Sequence, residues 1–394
     1  MTGAPSLSAP PDGRSGAWLE DPGFGIYVHI PFCLHRCHYC DFNTYEGANA
    51  LHGPYVDALE RDIWTNASGP PATSVFFGGG TPTLLAPRQL ARLLAAIAGT
   101  VGLAPGAEIT IEANPETVDA AAFEALLAAG FNRFSIGVQS LAPRVLRGLG
   151  RTHSASAALG AVGAARRAGA TDINIDLIYG SPWERPEDWR ATVEGTIAAE
   201  VGHVSAYALT VEEGTPLHVL VASGRVPDVD PDIQAERFDT ASELFGAAGL
   251  DRYETSNWAR RGRACRHNLL YWSAGEYLGF GAGAHGHVAG RRSWTLKLPR
   301  DYIAAVGRGE GTEAGCERLE VEARAGEAMM LGLRLASGVE LGAFERRFGG
   351  AWLEGRSAVI DSLRASGLLD IAAGRLRIPA SAAFVADEAL CQLL

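Results

Sequence analysis

His29-Ile30-Pro31-Phe32-Cys33-Leu34-His35-Arg36-Cys37-His38-Tyr39-Cys40-Asp41-Phe42 carries three cysteines in the spacing CxxxCxxC. Three thiolates this close together hold three corners of one iron–sulfur cube, whereas most clusters take four protein ligands. No further cysteine follows nearby, so one iron is left open to a small molecule and is reactive. Structural zinc sites close with four Cys/His ligands. A zinc knuckle here needs His35 or His38 as its fourth ligand, and those two histidines read better as lining the loop.

Working outward, short apolar runs alternate with longer Ala/Leu-rich stretches. Residues 26–30, 74–77, 109–113, 133–138, 172–178 and 204–209 are expected to be strands, and their near-continuous apolar character is that of parallel strands covered on both faces. Helices are expected near 52–66, 87–99, 118–129, 154–168 and 186–200, the third started by Pro115-Glu116-Thr117-Val118-Asp119 and stopped by Gly130. This is an α/β pattern: an incomplete parallel (β/α)6 barrel, with its chemistry at the C-terminal strand ends. The cysteines follow the first strand and Gly78-Gly79-Gly80-Thr81-Pro82 the second. Glycines let the backbone approach a ligand closely, so this loop's N–H and C=O groups are candidates for the ends of an amino acid; alone, it is also what a tight turn looks like. Glu112, Gln139 and Asp176 sit in or at the ends of apolar strands, where a carboxylate needs donors. Ribose hydroxyls and an adenine edge would supply them, as would internal partners such as Arg151. Together these features read as a radical S-adenosylmethionine (SAM) site.

At 394 residues and 47% hydrophobic, the chain buries a large core in two or three domains. With 34 basic and 45 acidic residues its net charge is −11, which argues against nucleic-acid partners. No apolar run approaches the ~18 residues of a membrane span, and residues 1–25 lack the apolar core of a signal peptide. A reducing cytoplasm is expected, where clustered thiols favour metal over disulfides.

Tyr27-Val28-His29-Ile30-Pro31-Phe32-Cys33 with Cys37 and Cys40, the GGGTP loop, Glu112-Ala113-Asn114-Pro115, Arg133-Phe134-Ser135-Ile136-Gly137-Val138-Gln139-Ser140 and Asp176-Leu177-Ile178-Tyr179-Gly180 follow one another in a known order and spacing. From about Gly25 onward the chain resembles the oxygen-independent coproporphyrinogen III dehydrogenases and their relatives, the HemW heme chaperones. The resemblance implies a 4Fe–4S cluster on Cys33, Cys37 and Cys40, with Tyr27, Tyr39, Gly79, Gly80, Thr81, Glu112, Gln139, Arg151 and Asp176 around SAM; one or two SAM molecules remain open. The dehydrogenases resemble CxxxCxxCxC, but Phe42 stands here, as in HemW-like sequences. His267-Asn268-Leu269-Leu270-Tyr271-Trp272 matches the HNxxYW signature of the HemW group, and 252–259 and 277–285 are also similar to it. Ser181-Pro182-Trp183 replaces the usual Leu-Pro-Gly, and Thr295 a common Asn, which bears on the substrate side alone.

The HemW resemblance implies heme as cargo, heme-accepting respiratory proteins as partners, including membrane-associated ones, and a role for cluster and SAM in delivery or in forming a homodimer. The alternative is oxidative decarboxylation of coproporphyrinogen III to protoporphyrinogen IX; no catalytic residue is nominated. His267 is the heme-ligand candidate, with Cys265 and His285 as competitors, and Arg260, Arg261 and Arg263 are candidates for the propionates. The expected domains are a disordered segment over 1–23, the barrel over 24–240, a connecting region over 241–316 and a winged-helix-like α+β module over 317–394. That module reads as helices over 324–335, 341–348 and 357–366, then a hairpin over 367–378 turning at Ala373-Gly374. It is read as a cover or docking domain rather than a DNA-binding one.

Overall fold

The computed structural model describes residues 16–393. Six parallel strands run in sequence order across one sheet: β1 (Phe24–Ile30), β2 (Ala72–Gly79), β3 (Leu103–Ala113), β4 (Arg133–Gln139), β5 (Ile173–Tyr179) and β6 (His203–Ala208). Each expected strand is present, lengthened by at most a few residues except β3. Between them lie α1 (His52–Asn66), α2 (Pro87–Thr100), α3 (Ala120–Ala129), α4 (Pro143–Leu149), α5 (Ala155–Arg167) and α6 (Pro186–Ala198). The third helix starts two residues later than expected: Pro115–Thr117 form a separate 3-10 turn, and Asp119 is the cap, accepting from Ala122 N–H at 2.8 Å. The short α4 carries no sequence signal beyond Pro143.

The sheet extends further than six strands. Residues 251–318 add β7 (Asp251–Arg252) and β8 (Asn257–Ala259) beyond β6, and β9 (Glu276–Phe280), β10 (His285–Val288), β11 (Arg291–Thr295) and β12 (Glu313–Arg318) beyond β1. β9 runs parallel to β1, and the rest of the additions are antiparallel. After α7 (Pro216–Ala222) and α8 (Pro231–Ala247), and before β9, α9 (Arg266–Trp272) tucks its His267, Leu269 and Leu270 inward.

Ile26, Val28, Ile30, Val75, Phe77, Ile111, Phe134, Ile136 and Ile175 are fully buried in one core with Leu59, Leu90 and Phe123 of the surrounding helices, each such side chain contributing about 1.5–3 kcal/mol. A second core belongs to the C-terminal module: α10 (Val321–Gly332), α11 (Leu341–Phe348), three further helices, and a small sheet in which Asp370–Ala372 and Arg375–Arg377 form the hairpin and Val339–Glu340 the third strand. Disorder was expected over 1–23, but residues 16–23 differ. Trp18, only 4% exposed, fills this second core, and Glu20 pairs with Arg346 at 2.8 Å. The remainder of that expectation, over 1–15, lies outside the described residues. Among the described residues no helix is long and apolar enough to cross a membrane.

Candidate functional site

The cysteine loop is pinned at both ends. Phe32–Cys33 pairs with Tyr45–Glu46, and Phe32 is buried against the rings of His52 and Tyr55 at 4.4 and 5.2 Å. Below it, His29 Nε2 donates to Asn43 O at 3.0 Å while Nδ1 accepts from Tyr27 O–H at 2.9 Å. Burial lowers the His29 pKa and keeps the ring neutral. Tyr27 is therefore the base of a strut that holds the loop.

Cys33, Cys37 and Cys40 are free and half-buried. Thr81 Oγ1 donates to Cys33 Sγ at 3.8 Å and Arg151 Nη1 to Cys37 Sγ at 3.4 Å. Burial pushes the Cys33 thiol up to about 11 and raises Cys40 as well, so cation binding must displace protons. Among the described residues no three His, Cys, Asp or Glu groups converge closely enough to share one ion. A cube requires no such convergence, because each thiolate takes a different iron. His38 Nδ1 is within 3.0 Å of Gly148 O and tied to α4, whereas the exposed His35 pairs with Glu46 at 3.3 Å.

These cysteines open onto a cavity of about 410 Å³ at the C-terminal strand ends, whose wall includes Tyr39, Gly79, Gly80, Glu112, Gln139, Arg151 and Asp176. The N–H groups of Gly79, Gly80 and Thr81 are already used, by Glu112 Oε2 at 3.1 Å, Ile30 O at 2.8 Å and Phe32 O at 2.7 Å. Of the groups expected to meet a ligand, the loop thus offers its carbonyl oxygens, which suit an ammonium group. Its glycines are required: Gly79 has φ +112°, and a Cβ there would stand 2.5 Å from the His29 ring. A Cβ on Gly80 would stand 2.5 Å from Phe32 O. Thr81 is 2% exposed and does not line the cavity; it sits behind Cys33 and accepts from Asn114 Nδ2 at 2.9 Å.

Arg151 crosses from beyond α4. Nη2 donates to Asn114 Oδ1 at 2.6 Å and to Gly137 O at 2.8 Å, and its buried Nε has no partner. That orphaned N–H, beside a cluster loop and a row of carbonyls, fits the carboxylate of an amino acid. The carboxylates of Glu112 and Asp176 are buried together. Burial, then the charge of Asp176, pushes Glu112 up to about 8, and burial raises Asp176 despite donors from Ser135 at 2.9 Å and Asn174 at 2.7 Å. Both are poised to accept hydroxyl donors. Gln139 has φ +65° where the β4–β5 register shifts between Gly137 and Gln139, a bulge that re-aims its side chain.

The sequence reading missed Tyr207, Asn114 and Ser135, which share the wall. Tyr207, opposite Ile178 in the register, was legible as a large polar side chain near the end of the sixth strand. Trp183 packs over Gly148, where a Cβ would meet its ring at 2.2 Å, and joins the apolar cluster that includes Tyr39.

His267 does not belong to this cavity. It lies at the opposite ends of the strands, 1% exposed, with Nδ1 2.9 Å from Ser74 Oγ and Nε2 2.9 Å from Tyr271 OH. Burial pushes its pKa down to about 3. Both ring nitrogens are thus engaged within the fold, away from the cysteine cavity. Cys265 is engaged beside it: its thiol donates to Glu108 Oε1 at 3.3 Å, and burial followed by the Glu108 charge pushes it up to about 12. His285 is exposed and stacks on Trp294 at 5.9 Å.

The chain is similar to known proteins over nearly its whole length. The radical SAM superfamily profile matches residues 27–194 and the HemN C-terminal domain profile residues 319–385. A protein from Mycobacterium tuberculosis named heme chaperone HemW is 42% identical, the match covering 94% of this chain and 95% of that one. The mouse protein named radical S-adenosyl methionine domain-containing protein 1, mitochondrial, is 37% identical over 99% of this chain and 90% of its own. In structure, the coproporphyrinogen III oxidase HemN of Escherichia coli, a radical SAM enzyme, superposes with a TM-score of 0.82 at 21% identity, covering 97% of this chain and 92% of that one.

Proposed function

We propose, from the premise that this chain belongs to the HemW family of radical SAM proteins, that it is a heme chaperone: it binds heme and delivers it to heme-accepting respiratory proteins. One observation carries this reading: 42% identity across 95% of a heme chaperone, against 21% to the coproporphyrinogen oxidase whose fold it shares. Phe42 supports it. Its ring is 64% exposed at the cavity wall, at the position where the dehydrogenases carry another cysteine.

Cys33, Cys37 and Cys40 hold a 4Fe–4S cluster, and Tyr39, Gly79, Gly80, Glu112, Gln139, Arg151 and Asp176 hold SAM, with Tyr27 and Thr81 acting from behind the wall. The cavity these residues share and the unpartnered Arg151 Nε support that assignment. Bound together, cluster and SAM supply one-electron chemistry to the cavity. The chain's own part is to orient and to exclude water. Arg151 takes the carboxylate, the GGGTP carbonyls take the ammonium group, and Glu112 and Asp176 take hydroxyls. The protein works in the cytoplasm with acceptors at the membrane, as a homodimer in one of its states, and without nucleic acid.

The test is anaerobic. After cluster reconstitution, separate samples receive hemin, or coproporphyrinogen III with SAM and reductant. Stoichiometric hemin uptake without protoporphyrinogen formation is expected; turnover to protoporphyrinogen would replace the chaperone reading with the dehydrogenase one.

A further inference from the structure

Asn174 and Asp176 are two residues apart in β5 and so share one face of it, the face that Asp176 presents to the cavity. The strand register sets Ser135 of β4 and His203 of β6 on either side of Asn174, and Ser205 beside Asp176. Barrel interiors are filled mostly by branched apolar side chains, whereas this layer is polar. Asn174, His203 and Ser205 are at most 3% exposed, so each polar group must be closed by another.

The hydrogen bonds of the layer run in one direction. Asn174 Nδ2 faces three oxygens at 2.7–2.9 Å, Asp176 Oδ1 and the hydroxyls of Ser135 and Ser205, which fixes the amide with Oδ1 turned toward His203. His203 Nδ1, 2.7 Å from that oxygen, therefore carries a proton. Its Nε2 then accepts from Tyr253 O–H at 2.9 Å. That hydroxyl itself receives Cys265 N–H and Asn268 Nδ2, each at 3.4 Å. Burial, then the Cys265 charge, raises the Tyr253 pKa, and the phenol keeps the proton it donates.

This order decides which way the Asn174 amide points. With the His203 proton on Nε2 instead, two lone pairs would meet at Nδ1 and Asn174 Oδ1. A turned amide would relieve that contact, but it would set its carbonyl against the Asp176 carboxyl and take a donor from it. The far end of the file is anchored outside the parallel strands. Tyr253 is buried in the second core with Trp18 and Leu335, and Asn268 lies on α9, the HNxxYW helix.

We propose that His203 and Tyr253, neither of which lines the cavity, are positioning residues for SAM: through Asn174 they hold the Asp176 carboxyl where it accepts a ribose hydroxyl. The proposal deepens the assignment of SAM to this cavity and rests on it. It also gives the Asn of HNxxYW a part, as a donor at the end of the file. The hydroxyl is met by a group fixed from the barrel floor rather than by one free to follow the ligand. A site built in this way rejects a ligand that lacks the hydroxyl, because its buried polar groups are then left unpaired.

The full-length protein, its cluster reconstituted, is titrated anaerobically with SAM and with its 2′-deoxy and 3′-deoxy counterparts. The unsubstituted protein is expected to favour SAM over at least one deoxy ligand by about tenfold or more. His203→Leu is expected to cut that preference to about threefold or less, with the deoxy ligand bound as before. Tyr253→Phe, which keeps the ring and tests the file even where the histidine variant folds poorly, is expected to do the same. An unchanged preference in both variants, or an equal weakening of every ligand, would overturn the positioning role and leave SAM in the cavity. An unsubstituted protein that binds all three ligands alike would overturn Asp176 as the partner of a hydroxyl, and the proposal with it. One that takes up no SAM would overturn the cavity assignment as well.

Discussion

The two ends of the parallel strands hold two polar constellations of opposite character. At the N-terminal ends, Glu108, 4% exposed, accepts from the Cys265 thiol and the N–H groups of Arg266 and His267 at 3.1–3.3 Å, which caps α9 with a negative charge. Arg133 and Asp172 pair nearby at 2.6 Å, and His267 joins Ser74 to Tyr271. The main donors and acceptors there close on one another. At the C-terminal ends Arg151 Nε is orphaned, Glu112 is held near 8, and three thiols face a cavity. Closed polar groups under a barrel are architecture; polar groups left open above it are a site. A file of hydrogen bonds joins the two, from Asp176 through Asn174, His203 and Tyr253 to the Cys265 backbone.

The sharpest way to break this contrast is to strip each end in turn. Replacing Cys33, Cys37 and Cys40 by Ala is expected to abolish the oxygen-sensitive cluster absorbance outright while the denaturant midpoint of the cluster-free protein moves little, by about 0.5 kcal/mol per site. A normal cluster in that variant would remove the site from the top of the barrel. Glu108→Ala works at the bottom. It strands the Cys265 thiol and the two α9 amides, buried donors at about 1–3 kcal/mol each, with an expected loss of about 3–5 kcal/mol in urea unfolding; a loss below about 1 kcal/mol would mean that the floor is not held by this carboxylate.

What the sequence disclosed follows the same division. The six strands and the GGGTP, Glu112, Gln139 and Asp176 positions were legible because parallel strands are apolar throughout, so a polar residue near a strand's end stands out. The role of His267 was not legible. A histidine beside Tyr and Trp looks like a ligand set, and its partner Ser74 is 193 residues away. The edge strands β9 to β12 escaped because they are half-exposed, Gly-rich and charged, without the continuous run that marks a central strand. The hairpin at Ala373-Gly374 was read from local turn chemistry alone, and such local signals survive without tertiary knowledge.

His267→Ala sharpens the contrast at a single residue. It leaves Ser74 and Tyr271 without their shared partner, an expected cost of about 1–3 kcal/mol, measured by urea unfolding. The Soret position of bound hemin is expected to stay where it is, since the imidazole has no free nitrogen. A shift of that band comparable to loss of an axial ligand would return His267 to the iron and place the cargo at the barrel floor.

The smallest effect is a pH slope at the open end. Glu112 titrates near 8 when folded, against a reference of 4.5, so the folded chain holds a proton that the unfolded chain releases between those values. The sign follows: this group's contribution is full below about pH 4.5, declines as pH rises towards 8, and is flat beyond, with a slope of at most about 1.4 kcal/mol per pH unit. Asp176 across the cavity and the Tyr27 and Tyr207 hydroxyls face the same carboxyl. Glu184 and Glu254 are also raised, each to about 7, so the raw profile sums several groups and only the difference between two proteins isolates one. In the cluster-free chain, subtracting the profile of Glu112→Gln is expected to leave a decline confined to about pH 4.5–8. A flat difference would mean that Glu112 is solvated or ionised in the folded state, and the cavity would then have to greet its ligand with a charge rather than with a proton to share.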